Sequence, residues 1–111
     1  MSVVTNLVLS FSSGEEVEAR IADINSFQYN GKLLNLVSID YNKDREKGTV
    51  WYGGNKFFEG NLLIGAFNHF KTDDFIAHLK QINWESPELV QLIVKEDSDE
   101  KFRIIEIADN T

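Results

Sequence analysis

An imidazole is the side chain best suited to moving protons near neutral pH. The sequence holds two, His69 and His78. His69 precedes Asp73 by four residues in a loop-like stretch. A carboxylate beside it would fix its tautomer and raise its basicity, as a general base requires. Ordinary surface or loop packing is the simpler account of the same pair. His78 follows Asp74 by four residues, the spacing of a surface pair along a helix. Two separated histidines without matching carboxylates do not form a metal site. Cysteine is absent, which removes thiol nucleophiles, disulfides and thiolate zinc sites. Gly53-Gly54, Gly60 and Gly65 fit neither GxxxxGK[ST] nor GxGxxG. No serine sits in a nucleophile elbow. The sequence therefore predicts no cofactor and no metal, and offers His69 and Asp73 as its only catalytic candidates.

Two other clusters suit binding better than catalysis. Glu96-Asp97-Ser98-Asp99-Glu100 places four carboxylates in five residues, without the glycine and ligand spacing of a calcium loop. It reads as a solvated hairpin, or as an electrostatic contact for a basic partner through Glu96, Asp97, Asp99 and Glu100. Trp51, Tyr52, Phe57 and Phe58 gather at mid-chain with Tyr41 nearby. Buried aromatics anchor many interfaces, and they equally plug junctions within a fold. Trp51, Tyr52 and Tyr41 are the aromatic contacts expected of a binding surface.

These side chains need elements to hold them. Val3 to Phe11 alternates as a strand, with Leu7, Leu9 and Phe11 on one face and Asn6, Val8 and Ser10 on the other. Ser13 and Glu16 make a capping-box pattern opening a helix from about Glu15 to Phe27. Its stripe is Val17, Ile21 and Ile24, with Glu16, Glu18, Arg20 and Asp23 facing water. Tyr29-Asn30-Gly31-Lys32 is turn chemistry. Leu33 to Asp40 is apolar on both faces, as in a central strand, and Thr49 to Tyr52 is a short strand. The pattern then restarts. Asn61 to Phe67 is a strand in which Gly65 marks a bulge or a close backbone approach. Thr72 or Asp73 caps a second helix with the stripe Phe75, Leu79 and Ile82. Glu88 to Glu96 and Lys101 to Ile107 are the closing strands. Val17, Ile21 and Ile24 match Phe75, Leu79 and Ile82 at one constant offset.

The predicted fold class is α+β: one domain over 1–111, with pseudo-repeats of about 1–55 and 56–111, each strand–helix–strand–strand. A right-handed crossover in each half makes the flanking strands parallel. The result is a two-layer sandwich, a six-stranded mixed sheet with two helices on one face. Its element order resembles ferredoxin-like α/β sandwiches. Two helices cover one face only, which leaves a second carrying Val37, Ile39, Gln91, Ile93, Lys95, Ile105 and Ile107. That mix is apolar enough to mark an interaction surface, unless the strand phase places it in the core.

At 111 residues and 42% apolar content the chain is long enough to fold without staples. Its net charge of −7 argues against nucleic acid and anionic membranes as partners. It suits solubility or steering toward a basic protein. Acidic residues outnumber basic ones 11 to 6 over 56–111, against 7 to 5 over 1–55. No leader-like start and no membrane-length apolar run occur, so the expected location is the cytoplasm. In size, acidity and lack of cysteine the chain resembles bacterial toxin-immunity proteins. That resemblance implies a non-catalytic protein-binding module, an inhibitor that neutralises a basic partner. The alternative is a small dimeric ferredoxin-like enzyme or ligand binder with a pocket on the open sheet face. A homodimer is possible and would favour this second reading, whereas a monomer would favour the first.

Overall fold

The computed structural model describes residues 3–39 and 60–108. Strand β1 (Val4–Ser12) is the axis of the molecule. Its alternation is strict: Thr5, Leu7, Leu9 and Phe11 are buried and the residues between them are half-buried. Helix α1 (Val17–Asn25) follows, then a small hairpin of β2 (Gln28–Tyr29) and β3 (Lys32–Leu33), and the short strand β4 (Val37–Ser38). From residue 60 onward come β5 (Gly60–Asn68), helix α2 (Thr72–Gln81), a 3-10 turn (Pro87–Leu89), β6 (Gln91–Lys95) and β7 (Arg103–Glu106).

The main sheet has five described strands in the order β4-β5-β1-β6-β7, and every neighbouring pair is antiparallel. Among the described strands the sheet is therefore antiparallel, where a mixed sheet was expected. β1 and β4 do run the same way, but β5 lies between them. β5 and β6 also run the same way, with β1 between them. Each helix connection thus skips a strand position, and the skipped slot is filled from the other half. The expected sixth strand, Thr49 to Tyr52, lies outside the described residues.

The helices share one face. Ile24, Phe27, Phe75, Leu79 and Trp84 form a single core with Leu7, Leu9, Phe11, Leu63, Leu92 and Val94 from the sheet. The rings of Phe27 and Phe75 lie 5.1 Å apart. His78 Nε2 meets the Asp23 carbonyl oxygen at 2.8 Å, so His78 bridges the two helices rather than pairing with Asp74 on the surface. Val90, Leu92 and Val94 are fully buried, as the alternation of that strand predicts.

Several local expectations shift for identifiable reasons. The strand expected over Leu33 to Asp40 is broken, because the Asn25 side chain takes both backbone groups of Leu36. Asn25 Nδ2 donates to its carbonyl at 3.2 Å, and Asn25 Oδ1 accepts from its N–H at 3.0 Å. Helix α1 starts at Val17 with Glu16 as an N-cap that makes no side-chain cap bond, so the Ser13–Glu16 capping box does not form. Asn30 (φ 49°) and Gly31 (φ 76°) are both left-handed. They close the β2–β3 hairpin as a two-residue turn of the primed kind, which needs positive φ at both centres. Gly65 is a close approach and not a bulge, since the β1–β5 register runs unbroken through it. A Cβ there would stand 2.7 Å from two ring carbons of Phe67 and 2.8 Å from Leu36 Cδ2.

Glu15, expected at the start of the helix, is buried just ahead of it. Its carboxylate accepts from the backbone N–H of Ser86 at 2.8 Å, from that of Glu85 at 3.1 Å, and from Arg20 Nε at 2.8 Å. Arg20, expected to face water, also donates to the Asn83 carbonyl at 2.7 Å and to Asp23 at 3.1 Å. Its guanidinium lies 6.0 Å from the centre of the Trp84 ring. The pair fastens the start of α1 to the loop after α2. Burial pulls the Glu15 carboxyl upward, but the donors from Ser86, Arg20 and Glu85 together outweigh it and hold the group below its ordinary value.

Candidate functional site

The catalytic candidates do not assemble. His69 is exposed and left-handed (φ 53°) at the turn between β5 and α2. Its N–H donates to the Val3 carbonyl and its carbonyl accepts from Asn30 Nδ2 at 2.9 Å. Those bonds hold the turn. His69 lines a shallow cleft with Thr5 and the Glu96–Ser98 loop. Asp73 lines a different cleft at the start of α2, with Lys71, Asp74, Glu96 and Arg103. That second cleft mixes both charge signs and contains the buried Thr72, whose Oγ1 has no hydrogen-bond partner. Among the described residues no group of three or more histidines or carboxylates is placed to hold a metal ion.

The acidic hairpin joins β6 to β7, and two of its four carboxylates are occupied. Asp99 Oδ2 accepts from the Glu96 N–H at 2.9 Å and from Arg103 Nε at 3.1 Å. The Glu96 N–H above all, joined by Arg103, holds the Asp99 carboxyl below its ordinary value against the opposing effect of desolvation. Glu96 lies 3.6 Å from Arg103 Nη2. Asp97 and Glu100 remain exposed. Turn construction therefore explains much of the acidic run, because a side-chain acceptor closes the hairpin on its own backbone. Trp51, Tyr52 and Tyr41 lie outside the described residues.

The open face of the sheet is the distinctive surface. Pairing register lines up Val37, Ile64, Val8, Ile93 and Ile104 as direct cross-strand partners, one from each of the five strands. Same-face partners in register touch across a sheet, so the five side chains form one continuous β-branched row. Val37 is 52% exposed, Ile64 46% and Ile104 63%. Toward one end of the strands, Leu62, Ser10, Gln91 and Glu106 make the next row. Gln91 Nε2 donates to Glu106 Oε1 at 3.0 Å, which confirms that they share this face. Toward the other end lie Ala66, Asn6 and Lys95.

Of the residues expected on this face, Val37, Gln91, Ile93 and Lys95 take their place there, as does Ile39, which alternates with Val37 around buried Ser38 and donates its N–H to the Leu62 carbonyl. Ile105 and Ile107 do not. Ile105 pairs with buried Leu92 and packs against the core, and Ile107 is buried. The last strand is thus one residue out of the expected phase, and Ile104 occupies the open face. Sequence reasoning put Val8 on the correct face but missed Ile64 and Ile104. Alternation gives each strand its two faces, whereas the alignment of one strand's residues with the next is set by pairing register.

Comparison of the chain with family models, curated proteins and solved structures finds no match. No helix among the described residues is long and apolar enough to cross a membrane.

Proposed function

We propose that this chain is a non-catalytic protein-binding module and that its open sheet face is the binding surface. The observation that carries this reading is the row Val37–Ile64–Val8–Ile93–Ile104 across all five described strands of the sheet, with Val37, Ile64 and Ile104 exposed and Val8 and Ile93 half-buried. Isolated exposed aliphatic residues are ordinary; a continuous set rimmed by polar residues is typical of an interaction site. The scattered polar groups of His69, Asp73 and the α2 cleft offer no comparable convergence.

The fold supports the same reading. Interleaved strand–helix–strand units, each skipping one strand position, are the pattern we read as a ferredoxin-like duplication with β7 added at the edge. Both helices lie on one side, so such a unit keeps a free sheet face by construction. The narrower reading, an inhibitor or immunity-type protein that takes a basic partner, rests on the net charge of −7 and on exposed Asp73, Asp74, Asp97 and Glu100. Opposite charge raises the encounter rate and suppresses wrong partners.

The test uses Ile64→Lys and Ile104→Lys. Both positions are exposed, so each variant is expected to melt close to the wild type. Association of the tagged full chain, with itself or with a captured protein, is expected to fall at least tenfold in both variants. Association unchanged in both would overturn the proposal.

A further inference from the structure

We infer that the open face is occupied by a second copy of this chain, packed face to face about a two-fold axis that runs along the aliphatic row. This rests on the reading of that face as a binding surface and names its occupant.

The rows that flank the aliphatic one select this occupant. A second copy can be laid row on row with two-fold symmetry in two ways. With the axis parallel to the strands, each copy's β6 lies over the other's β5, and β7 lies over β4. Lys95 then faces Ala66, and Glu106 faces the edge that carries Val37 and Ile39. Charged groups would be buried against aliphatic ones, which is costly.

With the axis along the row, the two flanking rows exchange. Lys95 of each copy lies over Gln91 of the other, beside Glu106, which Gln91 already holds at 3.0 Å. Leu62 meets Ala66, Ser10 meets Asn6, and the aliphatic row meets itself. The aliphatic row thus falls on itself and Lys95 on the Gln91–Glu106 pair, while Phe102, two residues before Ile104 and 51% exposed, comes over Glu106. A two-fold contact must be self-complementary in this way. The offset of about 30° usual between aligned sheets keeps these partners within reach. The face is small. Strand spacings of about 4.8 Å and residue rows about 7 Å apart give a plan footprint of about 400 Å2 per copy. The two copies together would bury about 800 Å2 on this measure, below the standard-size range, so the contact is a weak, transient dimer.

Sedimentation equilibrium of the full chain tests the inference, with folding of each variant checked by thermal melting. The wild type is expected to dimerise reversibly. Lys95→Glu and Glu106→Lys should each weaken the dimer about tenfold or more, because each places like charges opposite one another across the axis. The double swap K95E/E106K should recover the wild-type constant to within about threefold. Ile104→Lys should abolish the dimer. A wild type that stays monomeric up to about 1 mM overturns the inference. So does a dimer indifferent to Ile104→Lys, or one the double swap fails to restore. A monomeric wild type that still captures another protein, and loses it on Ile64→Lys, sinks the second copy alone and leaves the binding-module reading standing.

Discussion

Replacing Glu15 by Ala or Gln should separate charge from hydrogen bonding in the clasp between the two helix ends. The carboxylate side chain is fully buried, and Arg20 beside it is 13% exposed. Alanine leaves the N–H groups of Glu85 and Ser86 and the Nε of Arg20 without their acceptor. Breaking a buried pair by removing one partner costs about 3–5 kcal/mol. Arg20 keeps Asp23 and the Asn83 carbonyl, and two of the three lost bonds are to neutral donors. The expected loss for Glu15→Ala is therefore the lower figure, about 3 kcal/mol. Glutamine keeps an acceptor but loses the charge, and about 1–2 kcal/mol is expected. Urea unfolding at pH 7 measures both. The pH dependence supplies a second reading. The folded-state pKa of Glu15 lies below the ordinary value of 4.5, so its contribution is present above pH 4.5 and disappears as pH falls through the folded value. The wild type should lose stability on acidification faster than Glu15→Gln, and the two curves should converge at low pH. Equal stability of wild type and Glu15→Ala at pH 7, or parallel pH curves for wild type and Glu15→Gln, would refute the clasp.

Gly65→Ala should cost about 1–3 kcal/mol, since the new methyl group overlaps the Phe67 ring and Leu36; a thermal melt within error of wild type would show that both side chains step aside freely. Trp84→Phe should cost about 1–3 kcal/mol, because the buried indole N–H donates to the Leu79 carbonyl at 2.8 Å. A stability loss no larger than that of an exposed substitution would count against this bond. Asp99→Asn should loosen the β6–β7 hairpin, seen as faster amide exchange at Glu96, and unchanged exchange there would contradict the turn closure by Asp99. Lys95→Glu should weaken self-association without lowering the melting temperature by more than a few degrees.

Much of the fold is written in local periodicity. The alternation in Val4–Ser12 and Gln91–Lys95 and the stripe Phe75, Leu79 fall where the pattern puts them, because each is a one-element property. What failed was everything set between elements. Arg20 reads as a solvent-facing charge on a helix, yet the loop after α2 arrives over it with the Asn83 carbonyl and brings backbone donors to its partner Glu15. His78 reads as a surface partner of Asp74, yet α1 brings the Asp23 carbonyl to it. Leu33–Asp40 reads as a central strand, yet one asparagine takes over the backbone at Leu36. The candidate site follows the same division. Each of its residues is an unremarkable β-branched side chain in its own strand. Only the register makes Val37, Ile64, Val8, Ile93 and Ile104 a row. The acidic run misled for the opposite reason: as sequence it is a charge cluster, and as structure Asp99 closes its own turn.

The most direct measurement of the central claim is the accessibility of the row's methyl groups in the working assembly. Carbon-labelled Ile and Val methyls can be followed by NMR against a soluble paramagnetic agent, in a dilution series and in the presence of any captured protein. The account predicts that the Ile64 and Ile104 methyls are shielded in the associated state and become fully bleached on dilution or on Lys95→Glu substitution. Methyls bleached equally under every condition, while association persists, would contradict it.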